Sequence, residues 1–316
     1  MAKAYEALGH TVTLLDPATG RTMKIAEYQT TPPHATPPTP EELGSLSQGS
    51  VFVDSLTSET VRNADVVVIG LHGVPGEDGT VQSVLELLGK KYTGSNSRSS
   101  AISIDKAYTK IILERAGVPT PKWEFISKRN PEDLAKTVER CAEKFKEGIV
   151  IKPNDQGSTV GLTISTQADF DAEAGIRYAW QYSDGALIEE FIDGRELTVA
   201  VLNGKPLPIV EIAPEGGFYD YHHKYTKGMT NYYCPADLPA DLTAKIQQSA
   251  LRVFNCCDAR GYARIDYRLK PDGSFYCLEI NTLPGMTETS LVPKAAKAAG
   301  MTFEELCKAI LDSALA

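Results

Sequence analysis

Arg264, Asp266, Glu279 and Asn281 stand in two short runs, "ARIDY" and "LEINT", joined through a Pro-Asp-Gly turn. A strand of period two puts Arg264, Asp266 and Arg268 on one face, with Ile265, Tyr267 and Leu269 on the other. On the returning strand Glu279 and Asn281 share a face, opposite Leu278 and Ile280. An even-length turn pairs even with odd positions, so Asp266, Glu279 and Asn281 converge on one surface with Arg264 beside them. Facing carboxylates repel unless positive charge meets them. Carboxylates with an amide oxygen suit a hard cation such as Mg²⁺, which shares its shell with phosphate oxygens. A surface lattice of Arg, Asp and Glu ion pairs uses the same residues, and the hairpin alone leaves both readings open.

Three further runs could carry chemistry. In "IKPNDQGSTVG", Lys152 ends a strand, and the turn from Gly157 through Ser158 to Gly161 offers successive backbone N–H groups to a phosphate. It is not a P-loop, because no Gly-Lys-Ser/Thr follows and the loop joins two strands. In "HGVPGEDG" a strand ends at His72, and Glu77 and Asp78 precede a helix. Ligands gather at such strand ends in open α/β sheets, although capping acids look the same. In "FYDYHHKYTKG" the adjacent His222 and His223 lack helical spacing and acidic partners, so the run reads as a loop presenting Lys224 and Tyr225. Lys106 in "SIDKAYTK" has a solvated lysine as its ordinary reading.

The elements that position these residues divide in two. "AKAYEALGH" reads as a short helix ended by Gly9, then "TVTLLD" as a strand. From Pro17 to about Thr60 the pattern dissolves around clustered prolines, as in an extended surface loop. "DVVVIGLHG" reads as a strand buried on both faces of a parallel sheet. A helix, "TVQSVLELLG", a loop, "YTGS", and one longer helix up to Gly117 complete an α/β first domain. From Lys122 the pattern becomes antiparallel α+β, with hairpins turning at Asn203-Gly204 and Asp272-Gly273.

The 316 residues allow two or three domains. A net charge of −9 argues against nucleic acid or an anionic membrane as the main partner. The six cysteines contain no Cys-x-x-Cys pair and read as buried, reduced thiols of a cytoplasmic protein.

Taken in order, "HGVPGEDGT", "YTGS", "DKAYTK", "IKPNDQGSTVG", "FYDYHHKY", "ARIDY" and "EINTLPGMTETSLVP" resemble the D-alanine–D-alanine ligases of the ATP-grasp superfamily. The resemblance runs from about "ALGHTV" to the end of the chain. It implies three domains, an α/β unit over 1–94 and ATP-grasp units over 95–188 and 189–316. It also implies ATP-dependent joining of two D-alanines through an acyl phosphate, with the dipeptide destined for peptidoglycan. By motif, Asp266, Glu279 and Asn281 would hold two Mg²⁺ ions, with Mn²⁺ as a substitute. Lys106, Lys152 and Lys224 would bind ATP phosphates. Glu189, Glu190, Phe191 and Ile192 would border adenine, Leu278 would pack under it, and Glu196 would hold ribose. Arg264 and the Gly285 N–H resemble the family's oxyanion hole, while Ser290 and the Leu291 N–H would meet the acceptor carboxylate. Ser158 and Tyr225 would close the pocket, and His72 and Glu77 would lie near the first substrate. A homodimer is the family's usual state.

Departures from the family pattern are also legible. The chain is expected to open inside the helix that follows the family's first strand and Gly-rich turn, with roughly twenty residues lacking. The glutamate that holds the first ammonium would be among them, and ligation is expected to suffer. Glu190 stands where many relatives carry lysine, and the proline-rich tract is long. The rival readings are an acceptor other than D-alanine, D-lactate or D-serine, against which Tyr225 argues, and a nucleotide-binding protein with impaired ligation.

Overall fold

The computed structural model describes residues 1–28, 38–45, 49–166, 171–214, 230–287 and 290–315. Helix α1 (Ala2–Ala7) precedes an antiparallel pair, β1 (Leu14–Asp16) and β2 (Arg21–Met23). Then come α2 (Pro40–Ser45), α3 (Ser50–Leu56), α4 (Glu59–Asn63), β3 (Val66–Val67), α5 (Thr80–Leu87) and β4 (Lys91–Tyr92), which pairs in parallel with β3. Helices α6 (Ser97–Ile104) and α7 (Lys106–Arg115) lead into a four-stranded antiparallel sheet. Its elements are β5 (Trp123–Ser127), α8 (Leu134–Lys144), β6 (Ile149–Pro153), β7 (Thr163–Ser165), α9 (Ala172–Ala179) and β8 (Gly185–Glu190), with strand order β5-β8-β6-β7.

The larger sheet is built from β9 (Arg195–Leu202), β10 (Lys205–Pro206), β11 (Val210–Pro214), β12 (Thr230–Tyr233), β13 (Tyr262–Leu269) and β14 (Phe275–Asn281). Its order is β12-β11-β9-β13-β14, with β10 paired to β9. Helix α10 (Ala240–Cys256) sits in its middle, and α11 (Leu291–Ala298) and α12 (Phe303–Leu315) follow it. The hairpin at Asn203-Gly204 turns with both residues at positive φ, 48° and 73°, as a two-residue loop requires.

Alternation explains how this sheet serves two environments. Leu197, Val199, Val201, Ala263, Ile265 and Tyr267 bury one face against Ile246, Ala250 and Val253 of α10 and Leu113 of α7. On the other face, Ala200, Leu202 and Tyr262 pack with Val81 and Leu85 of α5 and Val292, Ala295 and Ile310 from α11 and α12. Further along that same face stand Glu196, Thr198, Arg264, Asp266 and Arg268. The small sheet keeps its own core, in which Ile149, Ile151, Ala186 and Ile188 pack on Cys141 of α8 and Ile176 of α9.

Four expectations need correction. The segment from Pro17 to Thr60 is not patternless: it contains β2, α2 and α3, and α3 buries Phe52 and Leu56 in the core shared with α5. Residues 29–37, with three of its six prolines, lie outside the described residues. "DVVVIGLHG" forms a strand at Val66–Val67, which among the described residues pairs with β4 alone, and it is not buried on both faces: Val66 and Val67 are half-buried and Val68 is exposed, while Ile69 enters the core. The "TVTLLD" strand is shorter than expected, covering Leu14–Asp16, and pairs with β2. The helix expected to run to Gly117 is two helices. Asp105 leaves helical geometry (ψ 98°) and its carboxylate accepts from Tyr108 N, capping α7. The six cysteines are free thiols, and no helix among the described residues is long and apolar enough to cross a membrane.

The joint between the two sheets is Gly194, at φ 152°, where a Cβ would lie 2.1 Å from the Leu269 carbonyl oxygen. Gly194→Ala is therefore expected to lower unfolding free energy by about 2–3 kcal/mol. Urea unfolding checks this, and an unchanged midpoint would show that the joint yields without strain.

Candidate active site

The floor of the site is the β13–β14 hairpin. Arg264 pairs with Asn281 and Asp266 with Glu279, so the charged positions meet as alternation demands. The register then shifts, because Tyr267 pairs with Cys277, leaving Leu278 as the extra residue of a β-bulge. Alternation places Leu278 with Ile280 on the core face. The bulge instead lets Leu278 and Glu279 both line the cleft, while Cys277 and Ile280 stay in the core.

Cross-strand neighbours hold the charges. Thr198 stands opposite Asp266 on β9, and its Oγ1 donates to Asp266 Oδ1 at 2.6 Å. Arg264 donates through Nε to Oδ1 at 3.0 Å and through Nη2 to Oδ2 at 2.9 Å. Arg268 stands opposite Glu196, with Nη1 3.4 Å from Oε2. Its Nε donates to the Ile192 carbonyl at 3.2 Å, and its guanidinium centre lies 5.9 Å from the Phe191 ring. Glu279 lies 3.4 Å from Lys106 Nζ. Asn281 Oδ1 accepts from Leu283 N at 3.0 Å, forming the turn that begins the Pro-Gly segment.

The facing wall comes from the small sheet and α7. Lys152, at the end of β6, and Lys110, on α7, both contact Glu189 of β8, one at each carboxylate oxygen. Glu189 is 2% exposed and Lys110 0%. Burial alone would raise the Glu189 carboxyl, but the two ammoniums hold it below the usual carboxylate range. Lys110 Nζ also donates to Thr120 Oγ1 at 2.6 Å. Asn154, just after β6, ties this wall to α7: its carbonyl accepts from Lys106 N at 3.0 Å and its Oδ1 from Ala107 N at 2.9 Å.

Between floor and wall lies a cavity of about 130 Å³. Its lining includes Lys106, Lys152, Ser158, Glu189, Glu190, Phe191, Ile192, Glu196, Asp266, Leu278 and Glu279, eleven of the residues singled out in the sequence. Val150, Val160, Leu162 and Ile164 add apolar surface at one side. Over it sits the glycine loop, in which Ser158 and Thr159 are both left-handed (φ 53° and 59°) and Gln156 O accepts from Lys106 Nζ at 2.7 Å. Apolar surface at one side of a cleft that is otherwise lined by Lys106, Lys152, Arg268 and five carboxylates can hold a base at one end and phosphates at the other.

Other candidates lie beside that cavity rather than in its wall. Arg264 reaches it through Asp266, and Asn281 is paired to Arg264. A Cβ on Gly285 would come within 2.9 Å of Ser290 Oγ, so the backbone approaches that hydroxyl as only glycine allows. Ser290 Oγ accepts from Thr287 N at 3.0 Å, and Leu291 opens α11. His72 Nδ1 lies 3.5 Å from Glu77 Oε1, and Asp78 Oδ1 accepts from Thr80 N at 2.9 Å just before α5, whose N-cap position is Gly79. Lys224 and Tyr225, with His222 and His223, lie outside the described residues.

Residues not singled out in the sequence also shape the site. Lys110 follows Lys106 by four, so both point from one buried helix face, a legible but ambiguous signal. Thr198 follows from ladder register, which sequence leaves open until the strands are paired, and the same register gives Arg268, already placed on this face by alternation, its partner Glu196.

Comparison with known proteins gives the family. A profile for the D-ala D-ala ligase N-terminus matches residues 15–95, and one for the D-ala D-ala ligase C-terminus matches residues 112–312. The chain belongs to the D-alanine–D-alanine ligase family. Its architecture is accordingly that of the ATP-grasp ligases, with a parallel pair in the N-terminal part. A D-alanine–D-alanine ligase from Syntrophotalea carbinolica is 46% identical over 250 residues, 79% of this chain and 79% of its own. A crystal structure of D-alanine–D-alanine ligase from Bacillus anthracis complexed with ATP is 34% identical, with a TM-score of 0.69 over 81% of each chain. The VanG D-Ala:D-Ser ligase from Enterococcus faecalis is 29% identical, with a TM-score of 0.71 over 79% of this chain and 73% of its own.

Within this family site, Glu189 is the counter-ion of two buried lysines. Glu189→Gln is expected to lower unfolding free energy at neutral pH by about 3–5 kcal/mol, the cost of stranding buried charge. A depressed carboxyl stabilises above its unfolded pKa and loses that contribution as pH falls through the folded value. The unaltered chain should therefore lose stability on acidification below the ordinary glutamate range more steeply than the variant. Urea titrations across a pH series check both, and parallel curves would contradict the pairing.

Proposed function

We propose that this chain is an ATP-dependent ligase that joins two D-alanines into D-alanyl-D-alanine through an acyl phosphate, for peptidoglycan. The observation that carries this reading is the convergence of Lys106, Lys152, Glu196, Asp266 and Glu279 on one cavity. The likeness to D-alanine–D-alanine ligases along both halves supports it. The same reading divides the chain at 1–94, 95–188 and 189–316, supported for the central unit by its separate core. It makes the protein a homodimer and, through its need for ATP, places its work in the cytoplasm.

The same reading assigns the binding residues by motif. Glu189, Glu190, Phe191 and Ile192 border adenine, Leu278 packs under it, and Glu196 takes ribose. Lys106, Lys152 and Lys224 hold phosphates. Asp266, Glu279 and Asn281 would hold two Mg²⁺ ions, or Mn²⁺ in their place. The donor set fits: a carboxylate has about four acceptor sites. Arg264 and Thr198 occupy three on Asp266, leaving one on Oδ2. Among the described residues no three His, Cys, Asp or Glu cluster as a metal site, so phosphate oxygens must complete the shell. When bound, the ions neutralise charge developing on the transferred phosphoryl group.

A carboxylate oxygen of the first D-alanine, held near His72 and Glu77, attacks the terminal phosphorus and ADP departs. Ser290 and the Leu291 N–H, at the start of α11, hold the carboxylate of the second D-alanine, an anion site at a helix N-terminus. Its amine attacks the acyl carbon. Arg264 and the Gly285 N–H stabilise the resulting oxyanion. Collapse expels phosphate, which keeps one oxygen of the first carboxylate. Ser158 and Tyr225 close the pocket and keep water from the acyl phosphate.

Phosphate release from ATP should depend on added D-alanine and Mg²⁺, with D-alanyl-D-alanine found by mass spectrometry. Arg264→Ala should lower the rate by about two to three orders of magnitude. Release without D-alanine would contradict the reading. Mixed products with D-lactate or D-serine, formed in preference to the dipeptide, would make that compound the acceptor in place of D-alanine.

A further inference from the structure

Lys110 stands apart from the rest of the binding set. Glu189 and Lys152 line the cleft, whereas Lys110 has no exposed surface and is not part of the cleft wall. An ammonium taken wholly out of water gives up a large hydration energy, and an apolar side chain of the same length would avoid that loss.

The contacts of Lys110 run in one line across the molecule. Thr120 Oγ1 donates to the Cys277 carbonyl at 2.8 Å and accepts from Lys110 Nζ at 2.6 Å. Lys110 in turn contacts one oxygen of Glu189, and Lys152 the other. Cys277 directly precedes Leu278 and Glu279 on β14. The line therefore joins the floor strand, through α7, to β8 and β6 of the opposite wall. Two ammoniums sharing one carboxylate leave one positive charge in excess. Burial works against both cations. It prevails at Lys110, which is lowered, and is outweighed at Lys152 by Glu189 and Glu279, so that Lys152 is raised.

We infer that Lys110 is a positioning residue for the nucleotide, fixing the Glu189 carboxylate and the reach of Lys152 against the floor of the cleft. This rests on the reading of the cleft as an ATP site. Without Lys110, Glu189 pairs with Lys152 alone and neutralises it.

Binding of ADP, measured by calorimetry, and steady-state kinetics on Lys110→Met test this. The dissociation constant for ADP and the KM for ATP should each rise about ten-fold or more, the effect of losing one charge-assisted contact. The KM for D-alanine should stay within about two-fold, since no D-alanine contact is altered. A purely structural role would lower thermal stability while leaving the ratio of the two KM values unchanged, and that result overturns the inference. If Lys110→Met fails to fold, Thr120→Val removes the anchoring hydroxyl while keeping all three charges. It should raise the ADP dissociation constant about three-fold or more, and an unchanged value again overturns the inference. Failure of the unaltered chain to bind ADP would overturn the nucleotide reading itself and this inference with it.

Discussion

Asp266 faces Glu279 across a ladder whose other side is apolar core. Like charges in that position are repulsive, and the surrounding structure is arranged to meet them with positive groups. Arg264 and Thr198 engage Asp266 on the floor, and Lys106 approaches Glu279 from the start of α7. The same face continues into Ala200, Leu202 and Tyr262, which are covered by helices. One sheet face is thus apolar at one end, where it builds a core, and charged at the other, where it builds a cleft.

The opposite wall obeys a similar constraint. Strands β6 and β8 give Ile149, Ile151, Ala186 and Ile188 to the core under the small sheet and turn Lys152 and Glu189 toward the cleft. Charges there are nearly dry, so their attraction is strong and directional. Lys110 belongs to neither sheet yet contacts the Glu189 carboxylate of the small one. The distance between the sheets is therefore set by ion pairs and by the Thr120 hydroxyl, as well as by Gly194 at the joint.

Much of this was legible in the sequence because the chemistry sits on strands, where period two carries side chains to known faces. Asp266 meets Glu279 as the turn parity requires, and the Asn203-Gly204 hairpin turns where its residues demand. Alternation alone put Leu278 on the core face, because a β-bulge adds one residue to the ladder and no residue type in "CLEIN" announces it; only the family resemblance set it at the cleft. Lys110 escaped because a lysine on a helix reads as solvated until tertiary packing buries it. The helices between Pro38 and Asn63 were hidden because their apolar faces are only a turn or two long. "DVVVI" misled for the opposite reason. A run of β-branched residues fits a central strand, but only Val66 and Val67 find a partner in the ladder.

The central claim is that this charged cleft transfers a phosphoryl group to a carboxylate. Supplying D-alanine labelled with ¹⁸O in its carboxylate and analysing the released phosphate tests it most directly. Transfer through an acyl phosphate predicts one labelled oxygen in each phosphate, because the bridging oxygen leaves with phosphorus when the amine attacks. Unlabelled phosphate, released at the same rate as dipeptide forms, would contradict it.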